Sequence, residues 1–256
     1  MRPLPRLLAL PVLALLLGLV PAAADTLARI EAADTLRVGL TGDYKPFSWE
    51  APQGRFEGLD VDMAEALAGE LGVRLEIVPT SWPTLMDDLA SDKFDIGMGG
   101  ISVTEERRKT AFFSTPLLTD GKTPIARCEN AARFRTLAEI DRDGNTLIVN
   151  PGGTNEKFAR ANITTATIIL HKDNATIFEE IVEGRADLMI TDAIETRIMA
   201  REHPELCAIH PDEPFTQSDK AYLLPQDEAW KARVDEWLAA MEASGEKAAV
   251  FEKWVE

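Results

Sequence analysis

From residue 36 onward, short apolar runs of strand length alternate with stretches whose apolar residues recur at helical spacing. The runs at 36–41, 74–78, 94–100, 146–150, 167–170 and 188–190 read as strands, and the stretches at 58–72, 84–90, 154–162 and 174–184 read as helices. Such alternation predicts an α/β architecture of doubly wound sheets, with the ligand crevice beyond the carboxyl ends of the strands. The loops expected there are 42–47, 79–83, 101–104, 151–153 and 191–195. The alternation is interrupted at 112–123, which reads as the approach to a crossover, and restarts at 137. A short strand at 206–210 precedes a run at 219–225 that reads as a return crossing. Trp230, Val234, Trp237, Leu238 and Met241 then recur at helical spacing, predicting an amphipathic tail helix packed on the first set of elements, with its tryptophans in the core.

The N-terminus changes the picture of where this fold works. Arg2 and Arg6 precede an apolar segment at 7–20, broken by Pro11 and followed by Pro21-Ala22-Ala23-Ala24. This is the pattern of a secretory signal peptide over residues 1–24, too short and proline-broken to span a bilayer. The leader resembles a bacterial one, so the expected location is the periplasm, with no membrane insertion after cleavage. The net charge is −16 from 43 acidic and 27 basic residues, and losing Arg2 and Arg6 would take it to −18. Nucleic acid is therefore not an expected partner. An anionic ligand would need a locally positive site against this field. The two cysteines, Cys128 and Cys207, are expected to pair in an oxidising compartment; two buried thiols are the alternative.

Several loops carry candidate chemistry. Thr191-Asp192-Ala193-Ile194-Glu195 falls where a buried strand meets a helix, so Asp192 and Glu195 either face the crevice or form a capping box. Gly153, Thr154 and Asn155 open a helix whose free N–H groups suit an anion. Thr104 is placed to cap a helix presenting Arg107, either to an anion or as a surface ion pair. Asp43, Tyr44 and Trp82 lie on two strand-end loops, and Tyr44, Phe47 and Trp82 could line a ring pocket or pack in the core. His171, His203 and His210 lack ligand spacing, residues 152–157 are not a phosphate-binding loop, and residues 100–104 lack the closing glycine of a nucleophile elbow. No metal and no organic cofactor are expected.

The blocks Gly58-Leu59-Asp60-Val61-Asp62, Phe94-Asp95 and Gly100-Ile101-Ser102-Val103-Thr104-Glu105-Glu106-Arg107 resemble the extracellular solute-binding proteins of the amino-acid-binding type. That resemblance implies a type II periplasmic-binding-protein fold: two α/β lobes joined by two hinge crossings, with 25–124 and 212–256 forming lobe 1 and 125–211 forming lobe 2. It also implies that Gly100, Ser102 and Arg107 hold a ligand carboxylate and that Asp192 holds an amino group.

Five further blocks are similar to something narrower, the periplasmic cyclohexadienyl dehydratases: 41–48, 78–83, 120–125, 149–160 and 191–195. Those enzymes convert prephenate to phenylpyruvate, or arogenate to phenylalanine, and so take a small anionic substrate. The resemblance implies that Glu195 is the general acid and that Lys122 and Asn150 lie in the substrate pocket. Loss of hydroxide from C4 and of carbon dioxide from C1 is driven by aromatisation, and one positioned acid contributes about 10² to 10⁴ in rate. Glu195 would then have to stay protonated near neutral pH, well above the usual glutamate value of about 4.3. Lys122 would oppose this if it touched Glu195, so the expectation puts it on a substrate carboxylate. The alternative is a non-catalytic amino-acid receptor feeding a transporter, which the same fold also serves.

Overall fold

The structure, a computed structural model, describes residues 25–255, so the expected signal peptide lies outside the described residues. Helix α1 (Thr26–Ala33) leads into β1 (Thr35–Leu40) and a three-stranded meander of β2 (Asp43–Tyr44), β3 (Ser48–Glu50) and β4 (Phe56–Glu57). Then follow α2 (Leu59–Leu71), β5 (Arg74–Pro79), α3 (Leu85–Ala90), β6 (Ile96–Gly97), α4 (Glu105–Arg108) and β7 (Phe112–Phe113). Strand β8 (Leu118–Asp120) crosses to the second half: β9 (Lys122–Arg127), α5 (Leu137–Ile140), β10 (Thr146–Val149), α6 (Thr154–Asn162), β11 (Thr167–Leu170), α7 (Ile177–Val182), β12 (Leu188–Asp192), α8 (Ala193–Glu202) and β13 (Leu206–Ala208). Strand β14 (Ser218–Lys220) returns to β15 (Leu223–Leu224), α9 (Glu228–Ser244) and α10 (Glu246–Val255).

Two five-stranded sheets result, ordered β5-β1-β6-β15-β7 and β11-β10-β12-β9-β13. Three neighbouring strands of each pair parallel, as the alternating pattern predicts, and the strand that follows each crossing, β9 or β15, runs antiparallel to them. The crossings β8 and β14 pair antiparallel with each other, Ser218 opposite Asp120 and Lys220 opposite Leu118. This is the two-lobed, type II arrangement that the pattern and the resemblance imply.

Each lobe has its own core. Leu36, Val38 and Leu40 of β1 alternate with Leu59, Met63 and Leu67 of α2, and Trp230, Val234 and Trp237 of α9 close over them. In the second lobe Leu147 and Val149 of β10 pack with Leu188 and Ile190 of β12 on one face, while Ile148 and Met189 meet Phe178 and Ile181 of α7 on the other. Strands buried on both faces read as continuous apolar runs, which is why these were visible.

Two expectations are corrected, and one feature is added. Residues 122–124, expected in lobe 1, hydrogen-bond in register with β12 of the second sheet, and Phe215, also expected in lobe 1, packs on the second core. The tail is two helices: Gly245, at φ +82°, ends α9 in the left-handed conformation that glycine adopts without strain. The meander between β1 and α2 was not predicted, because strands of two or three residues carry no period to read.

Candidate functional site

The two lobes close on a narrow space of about 20 Å³. Tyr44, Trp82, Gly100 and Ser102 line it from the first lobe; Asn150, Gly153, Thr154, Asn155, Asn174, Asp192 and Glu195 from the second; and Lys220 from a crossing. Its floor follows from strand register. In the β9/β12 ladder Asp192 lies directly opposite Lys122, and a single antiparallel bridge joins Ser102 to Lys220. Both lysines are nearly inaccessible, Lys122 at 5% and Lys220 at 1% exposure, and both reach Asp192. Lys122 Nζ lies 2.8 Å from Oδ1, an ion pair outside hydrogen-bond geometry. Lys220 Nζ donates to Oδ2 at 2.5 Å, and the Tyr44 hydroxyl donates to the same oxygen at 2.6 Å. Burial pushes the Asp192 carboxyl up, but the two ammonium groups outweigh it and hold it well below the usual carboxylate range. Two buried cations share one buried anion, so the floor is positive inside an acidic protein.

Asp192 lines the space and is already engaged there by the chain's own groups. It makes no side-chain cap to α8, and both its oxygens are taken by groups of the chain itself. Lys122 is likewise not free for a substrate carboxylate. Its three protons face Thr154 Oγ1 at 3.0 Å, Asn155 Oδ1 and Asp192. Lys220, which the sequence reading passed over as part of a crossing, is the lysine that lines the space. It also donates to Ser102 Oγ at 2.8 Å and lies 5.2 Å from the centre of the Tyr44 ring. The signal that could have found it is a lysine set against the apolar run Ala221-Tyr222-Leu223-Leu224. Asn174, also missed, lines the space and donates across the lobes to the Asp43 carbonyl at 2.9 Å.

Glu195 sits one helical turn beyond Asp192 and is 2% exposed. The Thr191 hydroxyl donates to its Oε2 at 2.5 Å. Burial pushes its carboxyl up to about 8, the negative charges of Asp192 and Asp43 act in the same direction, and the Thr191 hydrogen bond and Lys122 oppose them. Lys122 does oppose protonation as expected, but burial wins.

The other expected residues divide. Gly100 lines the space at φ +68°; a Cβ there would stand 2.4 Å from the Phe47 ring and 2.6 Å from that of Tyr44, so the close approach requires glycine. Thr104 caps α4 as predicted, accepting from the Arg107 amide. Arg107 donates to the Ser102 carbonyl at 2.8 Å and is buried behind the lining instead of reaching into it. Asp43 does not line the inner space. It accepts from Trp82 Nε1 at 3.0 Å, and burial pushes its carboxyl up to about 6. With Glu195 it borders a second hollow, which opens on the outer side of Asn174. Phe47 is core, while Tyr44 and Trp82 are lining, set edge to face with centres 5.8 Å apart. Cys128 and Cys207 form a disulfide.

What this arrangement can do chemically is hold an anion against a cationic floor and offer it a proton from a neutral carboxyl. Comparisons with known proteins point to the same setting. A cyclohexadienyl dehydratase of Pseudomonas aeruginosa is 58% identical over 228 residues, which cover 89% of this chain and 85% of that protein. An L-cystine-binding protein of Escherichia coli is 27% identical, over 88% of this chain and 84% of its own. Among solved structures, an ancestral amino acid-binding protein described as a precursor of cyclohexadienyl dehydratase superposes with a TM-score of 0.84 at 35% identity, over 90% of this chain and all of that one. An ancestral cyclohexadienyl dehydratase superposes with a TM-score of 0.57 at 50% identity, over 91% and 98%. The profile of the bacterial extracellular solute-binding proteins, family 3, matches residues 36–256, and the chain belongs to that family.

Proposed function

We propose that this chain is a periplasmic cyclohexadienyl dehydratase, converting prephenate to phenylpyruvate or arogenate to phenylalanine, or both. The observation that carries the proposal is Glu195: a carboxyl buried in the first turn of α8, bordering the cleft, and pushed up to about 8 by that burial. A receptor has no use for a proton donor there. The 58% identity to a dehydratase supports the same reading, and the family of extracellular proteins and the leader support the location.

In this reading Glu195 protonates the hydroxyl leaving C4, which departs as water as carbon dioxide leaves C1 on the opposite side of the ring. Lys220 and the amide groups at the start of α6 meet the substrate carboxylates, with Arg107 adding positive charge from behind Ser102. Tyr44 and Trp82 flank the ring, and the Asn150 amide orients the hydroxyl or a carboxylate. Lys122 acts through Asp192 and Asn155 without touching the substrate. The amino-acid-receptor reading is less supported, because the carboxylate that would take an ammonium group is already occupied by two lysines and a tyrosine.

The test is direct. Purified protein is mixed with prephenate and phenylpyruvate is followed, beside Glu195→Gln. The wild type should turn over, and the variant should lose about 10² or more of kcat with KM little changed. Absence of turnover by the wild type, together with tight binding of an amino acid, would overturn the proposal.

A further inference from the structure

The hydrogen bonds behind Glu195 form a chain with one sense. Lys122 has protons only to give, so the Asn155 atom that faces it must be Oδ1. That orientation turns the Asn155 amide nitrogen toward two acceptors, Asn150 Oδ1 at 3.3 Å and Thr191 Oγ1 at 3.0 Å. Asn150 thus shows Asn155 its oxygen and keeps its own amide protons for the cleft it lines. Thr191, having accepted from Asn155, has its single proton left to give, and it gives it to Glu195 Oε2. Among the described residues Glu195 Oε1 has no hydrogen-bond partner. All of these side chains except Thr154 at the edge are at least nine-tenths buried, so water does not scramble the order.

We propose that Asn155 and Thr191 are positioning residues that pass the donor sense of Lys122 to Glu195, so that the acid proton is carried on Oε1, the oxygen left without a hydrogen-bond partner among the described residues. The inference rests on the dehydratase reading for its kinetic consequence and on geometry alone for the placement of the proton. In the chemical step the Oε1–H bond breaks as the proton joins the departing hydroxyl. The C4–O bond breaks with it, the C1–carboxylate bond supplies the electron pair to the ring, and water and carbon dioxide leave. Glu195 is then a carboxylate, which the Thr191 hydroxyl continues to hydrogen-bond. The charged and titratable groups facing Glu195 are Asp192 on β12, Lys122 on β9, Lys220 on β14, and Asp43 and Tyr44 on β2. Lys45, Glu179, Glu202 and His203 ring the outer hollow.

The experiment uses the full mature chain with the Glu195 side-chain carboxyl followed by ¹³C NMR across pH, and kcat followed on prephenate. Removing a hydrogen bond that favours the charged form raises the pKa, so Thr191→Val should move the carboxyl titration and the alkaline limb of kcat upward by about 1 pH unit, with kcat down about tenfold or more. Thr191→Ser should restore both. At position 155 the order of two variants decides between polarity and packing. Asn155→Asp keeps the shape and an oxygen for Lys122 but presents a second oxygen to Thr191 and Asn150, so it should lose more kcat than Asn155→Ala; a packing role would give the opposite order. A wild-type titration of Glu195 in Thr191→Val, or Asn155→Asp outperforming Asn155→Ala, would overturn the inference. The NMR titration does not need turnover, so an inactive wild type would refute the dehydratase reading and leave this inference still decided by the titration.

Discussion

At the scale of single residues, the working group is a glutamate moved out of its usual range by burial, with a charged neighbour on either side. Glu195 must be neutral to act, so kcat should be level below about pH 8 and fall above it as the carboxyl ionises. A pH profile of kcat on prephenate checks this, and a limb near pH 5 would contradict it. The sequence carried part of this site openly. Glu195, Asn150 and the turn at Gly153 follow strands with strong apolar signatures, so their arrival at the strand ends could be read. Lys122 and Asp192 were legible as positions but not as partners, because their pairing is set by the antiparallel register of β9 on β12, and a register between distant strands has no local trace. Lys220 was missed for the opposite reason: a lysine in a sequence reads as solvated until the fold buries it.

At the scale of elements, the turn between β10 and α6 is built for contact across the cleft. Gly152 stands at φ +80°, and a Cβ there would lie 2.7 Å from the backbone of Pro83 in the other lobe. Gly152→Ala should therefore both strain the turn and hold the lobes apart, raising KM at least several-fold and costing about 1 kcal/mol or more of stability; substrate titration and thermal melting read the two effects separately. The disulfide ties the start of the segment after β9 to β13, enclosing 79 residues of separation that include most of the second lobe. Closing a loop of that length is worth about 4 to 5 kcal/mol on the entropic account. Replacing both cysteines by serine should lower the melting temperature by about 8 to 20 °C and leave kcat at a temperature well below melting unchanged. The sequence pattern supplied the pairing only through the expected compartment, since two cysteines say nothing of distance.

At the scale of the whole molecule, burying carboxyls beside a cleft sets how stability varies with pH. The folded-state value of Glu195, about 8, is raised above its usual 4.5, so the folded chain keeps a proton that the unfolded chain has lost. Its contribution is fully present below about 4.5 and is lost as pH rises through about 8; Asp43 and Asp60, raised to about 6, act the same way over a narrower range. Asp192, held low, has the opposite sign and loses its contribution only in strong acid. Stability should therefore decline from mildly acid to pH 8, and Glu195→Gln should flatten that decline, as denaturant titrations at several pH values would read. The two-lobed architecture was legible because its strands are buried on both faces; the exact residues of the crossings were not, because two-residue and three-residue strands leave no period.

The placement of the charges on those crossings has one further result. Lys122 begins the strand just past one crossing and Lys220 ends the other, and Asp192 lies against both. Points near a pivot move least when the arms swing, so spreading the lobes would part Tyr44 and Asn174 from their partners while the lysine–aspartate cluster stayed assembled. An incoming carboxylate then meets a ready-made electropositive seat before the walls come together, and capture should slow as added salt screens that attraction.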